Sequence, residues 1–131
     1  MRVFLIAASL LCGACAAGGA PSNQPFVDIP VPSDWRVQTR ESVLIQSPKV
    51  TAGKIVYFAE TPVDATLSQA RGLLSGAGWT ETKSERFVNP EKFPGVWADF
   101  AKGDDICRVT VIEGSHATHV DYTVARVNHP N

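Results

Sequence analysis

Cysteine is scarce in this chain of 131 residues: three in all, two of them within the first fifteen positions. That is too few for the disulfide framework on which many small secreted domains depend, so a core must stabilise itself. A domain of about 100 residues buries roughly two-thirds of its unfolded surface, which is enough for one core without metal or cross-link. Charge of one sign is lacking too. Twelve Lys and Arg face thirteen Asp and Glu, a formal net charge of −1. With no long basic run, composition offers no electropositive footprint for nucleic acid. Three catalytic signatures are absent: a G-x-S-x-G elbow, a phosphate-cradling glycine loop and an H-E-x-x-H helix. What remains, with 44% hydrophobic residues, ten Gly and nine Pro, is the composition of one soluble domain.

The start of the chain differs from the rest. Arg2 is followed by V-F-L-I-A-A-S-L-L, the length and character of a signal-peptide core. Gly13 and the A-A-G-G-A run end this hydrophobicity well short of the roughly 20 residues a membrane-crossing helix requires. The segment L-L-C-G-A-C then resembles a bacterial lipoprotein processing site. Gly13 and Ala14 are the small residues such a site uses, and Cys15 stands where the acylated cysteine would be. Cys12 occupies a place where Leu is more usual, and secretory cleavage around Ala14 to Ala16 without a lipid is the alternative. The resemblance implies removal of residues 1–14, which takes Arg2 away and leaves eleven basic against thirteen acidic residues, a charge of −2. Cys107 would then be the one remaining thiol. Ala16, in place of the Asp that resembles an inner-membrane retention signal, leans toward the outer membrane. Several acyl chains at about 0.8 kcal/mol per buried CH₂ would hold the protein firmly. Residues 15–25, rich in Gly, Ala and Pro, read as a lipidated N-terminus and flexible tether.

A single domain is expected over residues 26–128. F-V-D-I-P-V-P-S-D-W reads as an extended or edge-like lead-in, because its prolines cannot donate ladder hydrogen bonds, with Phe26 or Trp35 to pin it. S-V-L-I-Q-S and K-I-V-Y-F-A-E form a hairpin across P-K-V-T-A-G. Thr61 as cap, Pro62 as first helical residue, Asp64 near the positive helix end and the spacing of Val63, Leu67, Ala70, Leu73 and Leu74 predict an amphipathic helix. Gly76 or Gly78 should end it, and Trp79 should cover its end. Four antiparallel strands follow, the first largely solvent-faced. Alternation places Val96, Ala98 and Phe100, then Cys107, Val109 and Val111, then Val120, Tyr122 and Val124 on single faces. The expectation is an α+β fold: a two-layer domain, mainly antiparallel β-sheet packed on one α-helix, in the order β-β-α-β-β-β-β, with an all-β barrel carrying an incidental helix as the alternative. Its P-V-P-S-D-W lead-in and G-A-G-W step after the helix resemble small bacterial lipoproteins of unknown function over most of residues 27–127. That likeness implies the fold and brings no site residues with it.

Two constellations could carry chemistry. His116, His119 and Asp121 in G-S-H-A-T-H-V-D supply two imidazoles and a carboxylate, with His119 and Asp121 on one strand face and His129 as a remote fourth candidate. They would serve a metal-dependent periplasmic enzyme. Cys107, in step with Val109 and Val111, reads as a buried hydrophobe and not as a nucleophile. Trp97 alternates opposite to Val96 and Ala98, which leaves it on the outer face beside Asp99 to meet a partner, unless the lead-in folds beneath the sheet and buries it with Phe26 or Trp35. The reading as a whole is a non-catalytic accessory or interaction module of the cell envelope. It needs no cofactor and no nucleic acid, and its partners are the lipid membrane through acylated Cys15 and another envelope protein through Trp97.

Overall fold

A computed structural model describes residues 24–129. The leader, Cys15 and most of the tether lie outside the described residues. The elements are β1 (Arg36–Val37), β2 (Val43–Gln46), β3 (Val50–Ala59), α1 (Val63–Gly76), β4 (Thr80–Val88), β5 (Pro94–Lys102), β6 (Asp105–Ile112) and β7 (Thr118–Val127). All seven strands join one antiparallel sheet in the order β1-β3-β7-β6-β5-β4, with β2 also paired to β3. The fold is therefore α+β, mostly antiparallel sheet with one helix. The sheet is open, with β4 at one edge and β1 and β2 at the other, so the barrel alternative is set aside.

The order differs from expectation by one strand. At two residues, β1 is too short to show alternation and falls between the lead-in and the first expected strand. It shares the β3 edge with β2, and the gap between them is bridged by side chain. Gln38 N donates to Val56 O at 2.7 Å, and Ser42 Oγ accepts from Val56 N at 3.0 Å while donating to Gln38 O at 2.8 Å. The first hairpin is also tighter than expected, because Val50 to Gly53 belong to β3 and the connection is Ser47, Pro48 and Lys49 alone. Ser47 closes it through Ser47 N to Val50 O at 2.9 Å and Val50 N to Ser47 Oγ at 3.0 Å. The long β3 is stabilised from both sides, by β2 and by a ten-pair register with β7.

Helix α1 begins one position later than its capping pattern suggests. Pro62 is the N-cap, with ψ 161° and no side-chain cap bond, so Thr61 does not cap. Thr61 serves the buried Thr66 instead: its carbonyl accepts from Thr66 Oγ1 at 2.9 Å and from Thr118 Oγ1 at 2.5 Å, tying the helix start to β7. Thr66, Leu67, Ala70 and Leu74 form the buried stripe, while Leu73 at its margin stays exposed. At the other end Gly78 has φ +93°, and Trp79 N reaches back to Leu74 O at 3.0 Å, the six-to-one bond of a Schellman cap.

The three predicted apolar rows of β5, β6 and β7 are buried together with Ile55, Tyr57 and Ala59 of β3. Helix α1 packs over β4, β5 and β6. The lead-in closes the other half and is not extended. Two turns, Ile29 N to Phe26 O and Trp35 N to Pro32 O, both at 3.2 Å, fold it back so that Ile29 and Trp35 drop into the core. Trp35 lies 5.9 Å from the Tyr57 ring and 6.2 Å from that of Tyr122, and the two tyrosines meet edge-on at 5.8 Å. A buried Trp removes roughly 150–250 Å² from water, about 4–6 kcal/mol at about 25 cal/mol per Å² as an upper bound.

Polar groups staple this lead-in down. Asp28 accepts two bonds from Arg126, at 2.6 and 2.8 Å, and one from Lys102 at 3.3 Å, and its carbonyl accepts from Trp79 Nε1 at 2.7 Å. Arg126 turns its remaining donors to Asp105, at 2.9 and 3.1 Å. Burial pushes the Asp28 carboxyl up, but hydrogen bonds and charge from Arg126 and Lys102 outweigh it and hold the group below its ordinary range.

Candidate interaction face

The face of the sheet opposite α1 is built from the alternate residues of each strand, and directly paired positions line up in rows across it. The central row runs Glu85, Trp97, Thr110, Asp121 and Val56 from β4 to β3. On one side stand Lys83, Asp99, Arg108, Thr123 and Lys54. On the other, Gly95 is flanked by Phe87 and Ile112, and the Phe87 ring lies where a Cβ on Gly95 would be, which is why that strand position carries no side chain.

Trp97 is half-buried midway along β5, one strand in from the β4 edge. The lead-in does not cover it: Trp35 is on the opposite side against Tyr57, and Phe26 lies near Gly53 and Arg126. Its neighbours are cations. Arg108 Cζ is 4.1 Å from the indole centroid and Lys83 Nζ 5.5 Å. Asp99 grips Arg108 bidentately, Nε to Oδ1 at 2.7 Å and the terminal nitrogen to Oδ2 at 2.9 Å. That hydrogen bond holds the Asp99 carboxyl low against a smaller opposing push from burial. The result is a guanidinium held over one face of the indole with its charge met by Asp99, an amphipathic arrangement suited to packing against a partner's apolar and polar groups.

The histidine and carboxylate candidates do not converge. His116 is exposed in the β6–β7 turn, the His119 ring stacks on Phe58 at 4.5 Å, and Asp121 accepts from Thr123 Oγ1 at 3.4 Å. His129 is at the far end of β7, 3.9 Å from Asp104. Among the described residues no three His, Cys, Asp or Glu side chains are grouped to hold a metal ion. Asp121 carries a different signal: burial raises its pKa, with Lys54 and then Thr123 offsetting part of the shift. Cys107 is fully buried, and burial, with Asp28 and Asp99, pushes its thiol to about 12. It stays protonated and poorly nucleophilic.

The clamp on Arg108 was within reach of sequence reasoning. The Gly103–Asp104 turn pairs Lys102 with Asp105, and counting outward from it sets Asp99 opposite Arg108 and Trp97 opposite Thr110. The Asp28–Arg126 staple had no such local signal. No protein-family description and no curated protein matches this chain, so the face stands on its own geometry.

Proposed function

We propose that this protein is a lipid-anchored accessory module of the bacterial cell envelope, outer-membrane in location, with residues 1–14 removed, Cys15 acylated, residues 15–25 as tether and residues 26–128 as one two-layer α+β domain. It acts by contact and not by catalysis, and Trp97 meets another envelope protein. The observation that carries this reading is the outer face itself: an aromatic ring midway along β5, with Arg108 held over it by Asp99. A ring and a cation positioned before binding lose little conformational entropy when a partner arrives, and Trp and Arg are the residues most enriched at binding hot spots.

The test has two parts. Replacing Cys15→Ser should move the protein from membrane to soluble fractions and abolish incorporation of a labelled fatty acid; unchanged fractionation would refute the anchor. A photo-crosslinker at position 97 should give a discrete adduct with an envelope protein, lost on Arg108→Ala, whereas one at Ser68 on the helix surface should not. Monomer alone from both positions would refute the interaction.

A further inference from the structure

Nine large hydrophobic side chains are exposed among the described residues, and they are not scattered. Leu73 and Val88 stand apart. The other seven, Val27, Val43, Leu44, Ile45, Val50, Ile106 and Val127, gather at the end of the sheet where β2, β3, β6 and β7 meet. Val50 pairs with Val127, Ile106 with Ala125, and Ile45 with Ala52, so Val43, Ile45, Val50, Ile106 and Val127 share one apolar face, while Leu44, paired with Gly53, turns to the other side beside Phe26. Single exposed hydrophobics need no explanation, but a contiguous group marks a contact with something apolar. A shallow groove of about 300 Å³ between Val43, Ile45, Ala52 and Ala125 adds concavity to it.

The chain arrives at this same end. Phe26 packs within 3.6 Å of where a Cβ on Gly53 would lie, beside Leu44, and Val27 next to it is 91% exposed. Only nine positions separate Cys15 from Gln24. At 3.3–3.6 Å per residue even a fully stretched segment reaches about 30 Å. The buried charges here are paired, Asp28 and Asp105 holding Arg126, while the exposed Asp104 stands at the margin beside His129. Lys49 in the β2–β3 turn and Lys54 beside the groove border the patch as cations.

We infer that this end of the sheet docks on the lipid surface to which the protein is anchored, with Ile45, Val50, Ile106 and Val127 entering the interface and Lys49 and Lys54 at headgroup level. The inference rests on the proposed anchor at Cys15. Docking of this end holds Trp97, two rows of side chains away, or roughly 13 Å at about 3.3 Å per residue along the strand, above the bilayer and free for a partner.

The acylated full-length protein is reconstituted into phosphatidylethanolamine–phosphatidylglycerol vesicles with an environment-sensitive fluorophore on Ile45→Cys, Cys107 being buried. The expected result is blue-shifted emission, quenched by brominated lipid and reversed by Ile106→Asp with Val127→Asp. The same label on Ser68→Cys should report water throughout. Equal, water-like emission from both sites would overturn the docking while leaving the anchor untouched. Emission that shifts with protein density, with energy transfer between copies and no bromine quenching, would assign the patch to a second copy and also overturn it. Fractionation of Cys15→Ser decides the anchor separately. That unacylated variant should still partition weakly onto vesicles, at least tenfold less after the two aspartate substitutions, and no difference between the two would count against docking.

Discussion

Over β4, β5 and β6 the core is closed by α1, whose Leu67, Ala70 and Leu74 repeat at helical spacing and whose interior backbone bonds are its own. Over β3 and β7 it is closed by an irregular lead-in that places one indole and one isoleucine and must be held by Asp28, Arg126 and Lys102. The regular lid distributes its contribution along a stripe. The irregular one concentrates it, and its backbone order depends on charged groups that burial alone would disfavour.

That contrast can be tested from its largest consequence downward. Trp35→Ala should destabilise by about 3–5 kcal/mol and Leu74→Ala by about 2–5 kcal/mol, read as denaturation midpoints. Hydrogen exchange should separate them, Trp35→Ala opening β1 and β3 first and Leu74→Ala opening α1 and β5. A uniform rise in exchange in both variants would mean the two lids are one cooperative unit. Next, Asp28→Ala should cost about 2 kcal/mol at pH 7, since hydrogen bonds to charged groups contribute about 1.5–3 kcal/mol and this cluster is only partly sheltered. The Asp28 carboxyl is lowered by folding, so its contribution is complete above the unfolded value of about 3.9 and is lost as pH falls through the folded one. Melting curves of wild type and variant should therefore converge in acid; a constant gap down to pH 2 would mean that packing, and not charge, holds the lead-in.

Smaller effects come from single positions. Gly78→Ala must place a Cβ at φ +93°, against the Lys102 side chain, and should cost about 1–2 kcal/mol in thermal unfolding. Asp121 works in the opposite sense. Its folded carboxyl is raised, so the ionised form carries a penalty above that value which vanishes as pH falls. Asp121→Asn should then raise Tm at neutral pH, with the gain fading toward pH 3. A loss of stability at pH 7 would show the Lys54 attraction to outweigh burial.

How far the sequence anticipated the molecule follows the same division. The three inward rows of β5, β6 and β7 and the outward stance of Trp97 follow from a period of 2, and the end of α1 at one of two expected glycines, Gly78, from its tolerance of positive φ; these the structure bears out. What periodicity cannot reach is tertiary chemistry. Thr66 reads as a polar interruption of the stripe, yet it is buried because Thr61 supplies its acceptor. Asp28 looks like any surface carboxylate until β7 brings Arg126 against it. The short β1 exists because β3 offers it a ladder, and two residues are too few for propensity or alternation to mark a strand. The metal candidates failed for a related reason: shared residue type did not bring His116 and His119 to one point, and His119 found Phe58 instead.

The Asp28–Arg126 pair joins positions 98 apart in sequence, near the two ends of the described chain. It has a mechanical consequence. A pull on the chain ahead of Gln24 meets this cluster before it reaches β1, the edge strand that follows in sequence. It passes through Asp28 into Arg126 on β7 and Asp105 on β6, two interior strands, at the end of the sheet where β6 begins and β7 finishes. The cluster is a clasp between the first and last parts of the described chain, so tension reaches β1 only after these charged contacts have opened.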